Sequence, residues 1–418
     1  MKLTTRSTAL GMLLGLAAAC APREEEEPQS TVEQATFLDP TRTVKTVGPI
    51  DRSNPFFQSL GTNGRTCESC HLEDQGWTIV PRRLRERFDA TAGTDPIFRP
   101  HDGANAPLLD VSTESARRVA YSLLLERGTI RVGLPVKPTS EFELVAVDDP
   151  YQHASAAQLS LFRRPLPTTN LRFASTVNWD GRNTPDLTTM RPGLLNQSNG
   201  ATVNHAQAAA PIAPEIRASI VDAETGLATA QTRHVLFGRL DVLGGKGGPE
   251  NLAAEPFTLG GANTPGFDLF EAWNRRPTSI LDLVRSAVAD GEQVFNSKCS
   301  GCHSTHNVGS SATFRFFDVK VSAASRRAPE VPLYTLRNKT TGEEIQTTDP
   351  GRALITGLWS DMNRFKVPSL RGLAARAPYF HDGSVRTLWG VVDHYATEVG
   401  IDIRDHERLP LVLFLESL

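Results

Sequence analysis

Apolar residues recur at helical spacing in four stretches of the chain, most of them with a start or stop signal. Residues 113–127 have the spacing of an amphipathic helix and end at Gly128. Residues 213–234 are expected to be helical, with Ile216, Ile220 and Leu227 facing inward. Residues 278–298 begin with Thr278 or Ser279 as cap and place Ile280, Leu283, Val284, Ala287 and Val288 on one stripe. Residues 386–397 form a shorter pattern carrying Leu388, Val391, Val392 and Tyr395. Within 129–147, the alternating run Glu141-Phe142-Glu143-Leu144-Val145-Ala146-Val147 predicts a strand pair. Two glycine-rich patches, 243–248 and 260–266, read as loops. The first lacks the spacing and the Ser/Thr of a phosphate loop. Together these elements predict a mainly α chain with long loops and a few short strands.

The N-terminus falls outside that pattern. Residues 1–19 carry Lys2 and Arg6 ahead of an apolar run from Ala9 to Ala19, too short for a bilayer and suited to a secretory signal. The run closes on Leu16-Ala17-Ala18-Ala19-Cys20, which resembles a bacterial lipobox except that Ala17 stands where Leu is usual. Ordinary signal cleavage after Ala19 is the alternative. Residues 20–44 contain four consecutive glutamates, Glu24 to Glu27, then Pro, Gln, Ser and Thr, and are expected to be a solvated acidic tether. The expected product is an exported domain on the periplasmic side of a bacterial membrane, held there by lipid on Cys20.

At 418 residues the chain is long enough for two or three domains. A first globular region is expected over 45–284 and a second over 285–418, cut before Gly291-Glu292-Gln293-Val294-Phe295. A net charge of −3 gives no electrostatic reason for a nucleic-acid partner.

The cysteines change the picture most. Cys20 closes the leader, and the other four lie in Cys67-Glu68-Ser69-Cys70-His71 and Cys299-Ser300-Gly301-Cys302-His303. C-x-x-C-H is the attachment signature of c-type haem. On a helix, positions i, i+3 and i+4 share a face, so two thiols can bond to the haem edge while the adjacent histidine reaches the iron. Two covalently bound haem c groups are therefore expected, with His71 and His303 as proximal iron ligands. Zinc is the alternative, but its paired cysteines commonly lie about 15–20 residues apart, and these pairs start 232 positions apart. A dithiol redox pair would not need the trailing histidine.

Phe365-Lys366-Val367-Pro368-Ser369-Leu370-Arg371-Gly372, followed by Ala377-Pro378-Tyr379-Phe380-His381-Asp382-Gly383-Ser384, resembles the bacterial di-haem cytochrome c peroxidase family, which includes MauG-type enzymes. The resemblance runs through most of 285–418. In the first region it covers Cys67 to Trp77 and Pro167 to Arg182, leaving about 78–162 as an insertion. It implies two cytochrome c-like domains with one haem each, the N-terminal one peroxidatic and the C-terminal one for electron transfer. It implies that Trp179, in Trp179-Asp180-Gly181-Arg182, lies between the haems and helps electrons cross; an ordinary core tryptophan is the alternative. It also implies that His381 packs near the second haem. In the family's peroxidases, the sixth ligand of the second haem is a methionine fourteen residues after this histidine; here that position is Tyr395, and MauG-type enzymes use Tyr. A phenolate ligand favours Fe(III) and lowers the potential relative to Met. His394, His306 and Met362 are the alternatives.

Two departures stand out. The family's calcium-binding Asn falls near Arg164, and Arg376 replaces a usual Thr, which leaves calcium open. The family's catalytic Glu falls near Asn199, with His205, Gln207 and Glu215 as neighbouring candidates for a distal base. The resemblance implies an oxidoreductase that reduces hydrogen peroxide with electrons from a small redox protein. MauG-like oxidation of a partner protein or an organic substrate is one alternative, favoured by Tyr395. A di-haem electron carrier without substrate chemistry is the other.

Overall fold

The computed structural model describes residues 41–46, 48–184, 190–256 and 265–418. The expected leader, Cys20, the tether as far as residue 40 and most of the second glycine-rich loop lie outside the described residues. The fold is mixed rather than mainly α, with 35% helix and 15% strand. The extra strand content comes from antiparallel pairings between segments far apart in the chain. Thr41–Lys45, expected in the tether, pairs with Leu227–Gln231. Ile130–Leu134 pairs with Leu159–Arg163. Phe142–Asp148 pairs with Leu333–Asn338, which also carries Glu344–Thr347, giving a three-stranded sheet with a bulge between Leu144 and Ala146. Ile130–Leu134 and Phe142–Asp148 are therefore strands as expected, but not partners of each other. The three-stranded sheet also crosses the expected boundary at 284/285.

The helices follow their capping signals. Glu114–Ala120 and Ser122–Arg127 start on Thr113, whose hydroxyl accepts from Ala116 N–H, and stop at Gly128 with φ +64°. Pro214–Thr225 ends at Gly226, nine residues before the expected end. The following Leu227–Gln231 is buried at every position as a strand. A fully buried short strand has no alternation to distinguish it from a helical run. Ile220 and Leu227 are buried as expected. Ile280–Lys298 is capped by the Ser279 hydroxyl accepting from Asp282 N–H, although Ile280 itself is exposed. Leu388–Thr397 is capped in the same way by Thr387.

The core beneath the second motif is built on Ile280–Lys298 crossing Asp405–Glu416, with Phe267, Phe270, Phe295 and Phe414 interleaved edge to face. Gly291 makes this crossing possible. A Cβ there would lie 2.0 Å from the Pro410 carbonyl oxygen, which explains a residue that weakens a helix interior. Two smaller cores flank the first motif. One contains Phe56, Trp77, Ile220 and Leu227; the other contains Ile79, Phe88, Phe98, Tyr121 and Leu124 from the insertion.

Candidate functional site

The first motif forms a tight turn. The Thr66 hydroxyl accepts from Ser69 N–H and the Ser69 hydroxyl accepts from Thr66 N–H, a reciprocal cap. The Cys67 carbonyl accepts from both Cys70 N–H and His71 N–H at 3.1 Å. This winding brings both thiols and the imidazole to one wall of a cavity of about 1680 Å³, counting its open mouth. The His71 Nδ1–H donates to the Trp77 carbonyl at 2.9 Å, which leaves Nε2 as the free lone pair. Burial pushes His71 down to about 4, so its imidazole is neutral and able to ligate. Among the described residues, no disulfide involves any of the four motif cysteines. A cavity lined by two thiols and one oriented imidazole fits a covalently held haem. A zinc site finds less support: among the described residues no group of three or more His, Cys, Asp or Glu is placed to hold a metal ion.

The same cavity is lined by Arg65, Asp102 and His205. His205 Nδ1–H donates to Asp102 Oδ2 at 2.7 Å, and Arg65 Nη1 reaches the same oxygen at 2.7 Å. His205 Nε2 has no partner among the described residues. Arg65 is itself fixed by the Pro96 and Ile97 carbonyls. Burial works against the Asp102 carboxylate, but the neighbouring His101, the His205 hydrogen bond and the Arg65 guanidinium hold its pKa well below the usual range. Asp102 is thus an anion at working pH, and it fixes the tautomer that turns the basic His205 nitrogen outward.

The second motif caps the C-terminus of Ile280–Lys298 at Cys299. His303 Nδ1–H donates to the Gly309 carbonyl, repeating the His71 arrangement, and its ring lies 5.7 Å from Phe295. Tyr395 packs against this core on the helix Leu388–Thr397. Burial, then the neighbouring Cys299 and Cys302 thiols, push its phenol pKa up. The alternatives to Tyr395 are engaged elsewhere. His394 Nε2 meets the Val319 carbonyl at 2.7 Å, His306 Nε2 faces Asp268 and Asn307, and Met362 lies in the core of the three-stranded sheet.

No protein-family model matches the chain. Over 148 residues it is 33% identical to the cytochrome c peroxidase IdrP2 of Denitromonas iodatirespirans, covering 32% of this chain and 40% of that protein. Over 151 residues it is 32% identical to the cytochrome c peroxidase of Escherichia coli, covering 36% and 28%. Over 274 residues it is 25% identical to the methylamine utilization protein MauG of Methylorubrum extorquens, covering 61% and 64%. The chain is similar to bacterial cytochrome c peroxidases and to MauG. These matches span between about a quarter and two thirds of the relatives' own length. The named peroxidases are oxidoreductases.

Against these relatives, the motif around Trp179 has a clear local logic. Asp180 is fully buried between Arg163 and Arg182, and Arg163 also grips Asp349 through two nitrogens at 2.7 and 2.9 Å. This network ties residues before 284 to residues after it. Gly181 has φ +72°, and a Cβ there would press on Phe316 and Arg352. Trp179 lines the first cavity, and its indole N–H donates to the Arg164 carbonyl at 2.8 Å. Its ring lies 6.2 Å from His381, which stacks on Phe365 at 3.9 Å. Phe380, next to His381, lies 6.1 Å from Tyr395. Where the resemblance leaves calcium open, the Arg164 guanidinium takes the Ile79 and Arg127 carbonyls. A metal cation beside it would meet like charge, so the residues present do not fit calcium.

Of the candidate distal groups, His205 lines the cavity. Glu215 does not. It sits exposed in the first turn of Pro214–Thr225 and lines a different, outer cavity. Sequence reasoning missed Asp102 and Arg65, which become site residues through folding of the insertion. It also missed Glu224, a 4% exposed carboxyl on the cavity wall. Among the described residues no helix is long and apolar enough to cross a membrane.

Proposed function

We propose that this protein is an exported di-haem c-type oxidoreductase that reduces hydrogen peroxide. The observation that carries the reading is the His205–Asp102–Arg65 group, which faces the same cavity as Cys67, Cys70 and His71. Haem, when bound, supplies the redox chemistry. The chain supplies the rest. Cys67 and Cys70 anchor one haem and His71 presents Nε2 to it; Cys299, Cys302 and His303 do the same for the other. His205 Nε2 accepts a proton from peroxide entering the cavity and returns it to the departing oxygen. The buried Asp102 anion stabilises the imidazolium in between. Trp179 and His381 would carry electrons between the two sites, and Tyr395 would be a ligand at the second. A small redox protein is the electron donor, and a lipid on Cys20 holds the protein at the periplasmic side of the membrane.

A second reading, MauG-like oxidation of a partner protein or organic substrate, is favoured by Tyr395 and by the longer match to MauG. Spectra of the holoprotein before and after peroxide, with and without one-electron reduction, separate the readings. A response to peroxide only after one-electron reduction supports peroxide reduction fed by the second haem, and a response from the fully ferric state supports MauG-like chemistry. No peroxide response in either state, with both haems six-coordinate, would leave an electron carrier.

A further inference from the structure

The first cavity has a second, outer cavity behind it, of about 990 Å³ counting its mouth. The outer cavity lies between Pro214–Thr225 and the segment around Asn54 and Phe56, and its lining includes Lys45, Asp51, Asn54, Ser219 and Asp222. Among the described residues, Glu224 alone lines both cavities. Its carboxyl is buried, and among the described residues Oε2 has no hydrogen-bond partner. A buried carboxyl without a partner disfavours its charged form, and burial pushes Glu224 up to about 8. The acid is therefore protonated at neutral pH.

Peroxide reduction creates a demand for such a group. H2O2 gives up two electrons' worth of oxidising power with release of one water, and both protons of that water come from the peroxide itself. The remaining oxygen becomes the second water only when two electrons and two further protons arrive. Those protons must come from solvent. His205 recycles a peroxide proton and supplies no net one.

We propose that Glu224 and the outer cavity form the proton entry route to the first haem cavity, used in the reductive half of the cycle. Glu224 donates its proton inward and regains one from water in the outer cavity, with no net change in the residue. This rests on the peroxide-reducing reading of the site. The charged and titratable groups facing Glu224 are Cys67 from the motif turn, Glu215 and Asp222 from its own helix, Lys45 from the strand Thr41–Lys45 and Asp51 from the preceding loop.

Rapid mixing of the holoprotein with peroxide tests the route in two stages. Glu224→Gln keeps the shape and neutrality of the protonated acid, so formation of the oxidised protein proceeds at the wild-type rate. Its return to the resting state with excess reductant slows at least about tenfold, as expected for loss of a positioned proton donor. Ala218→Phe, which narrows the outer cavity, slows the same stage. A wild-type return rate in Glu224→Gln assigns the protons to the mouth beside His205 and overturns the proposal. So does slowing in Glu224→Gln with none in Ala218→Phe. If the wild type ignores peroxide, the proposed function fails instead, and infrared spectroscopy then decides the route. A protonated carboxyl band missing from Glu224→Gln should exchange in D2O more slowly in Ala218→Phe. Absence of that band at neutral pH, or unchanged exchange, overturns the route.

Discussion

The two C-x-x-C-H motifs are nearly identical as sequence and sit in contrasting surroundings. The first opens onto a large cavity furnished with ionisable groups: Asp102, Arg65, His205 and Glu224. The second is set on an apolar core of Phe267, Phe295 and Phe414, with a phenol as its near polar neighbour and Cys302 exposed at the surface. Both histidines make the same hydrogen bond to a backbone carbonyl six residues on, at Trp77 and Gly309. The proximal sides are therefore alike, and any division of labour lies in what each site faces. Proton chemistry needs groups that hold and release protons within reach; electron transfer needs rigidity and a short path to the surface. The contrast fits the proposal, which gives the first task to the N-terminal site and the second to the C-terminal one.

The largest effect breaks the comparison at its base. Pyridine haemochrome analysis should give two haems per chain, and Cys299→Ala with Cys302→Ala should leave one. A wild type with a single haem would mean that the two motifs are not equivalent attachment sites. Next comes the first site alone. His205→Leu should cut the rate of reaction with peroxide by about 10²–10⁴, the usual worth of a positioned base. Asp102→Asn should follow in the same direction, because the amide no longer fixes the tautomer. An unchanged rate would move the distal base elsewhere.

At the second site, Tyr395→Met should raise the potential of the C-terminal haem, since a neutral thioether favours Fe(II) more than phenolate does. The variant should also lose reactivity from the fully ferric state. If Tyr395→Phe leaves both the ferric spectrum and the potential of that haem unaltered, Tyr395 is not a ligand. The N-terminal haem should keep its spectrum in both variants.

The share of this contrast that can be read from sequence follows from how local each signal is. The motifs, the capped helices and Trp179-Asp180-Gly181-Arg182 are contiguous, so their meaning survives without coordinates. Tyr395 follows from the family resemblance, fourteen residues after His381, and it lies beside Cys299 and Cys302. Asp102 had no such signature. It lies in the insertion at 78–162 and meets His205 across 103 positions. The strand Phe142–Asp148 likewise found its partner at Leu333–Asn338, and no periodicity encodes a partner's address. Glu224 sat in a helical stretch where a charged residue is ordinarily solvated. Only the packing of Ile220, Leu227 and the motif turn around it makes it a buried acid.

The smallest expected effect is on stability, and it sharpens the comparison through two buried glutamates, one per region. Burial raises Glu224 to about 8 and Glu292 to about 7. In each case the folded state binds its proton more tightly than the unfolded chain, whose carboxyl titrates near 4.5. Such a group costs nothing below the unfolded value, and its penalty grows as pH rises from there through the folded value. Glu224→Gln removes that penalty and should stabilise the holoprotein by roughly 1–3 kcal/mol at pH 8, with little change at pH 4.5. Glu292 differs because its carboxyl oxygens accept from the Leu269 and Phe270 N–H groups, pinning that loop to Ile280–Lys298. Glu292→Gln puts an amide donor where both oxygens now accept, and it should lose about 1 kcal/mol rather than gain. Denaturant unfolding of both variants at the two pH values reads the difference directly. Equal gains at pH 8 would show that burial alone governs both residues. Opposite signs would show that the C-terminal core holds its acid by hydrogen bonds, whereas the N-terminal cavity leaves its acid free to exchange.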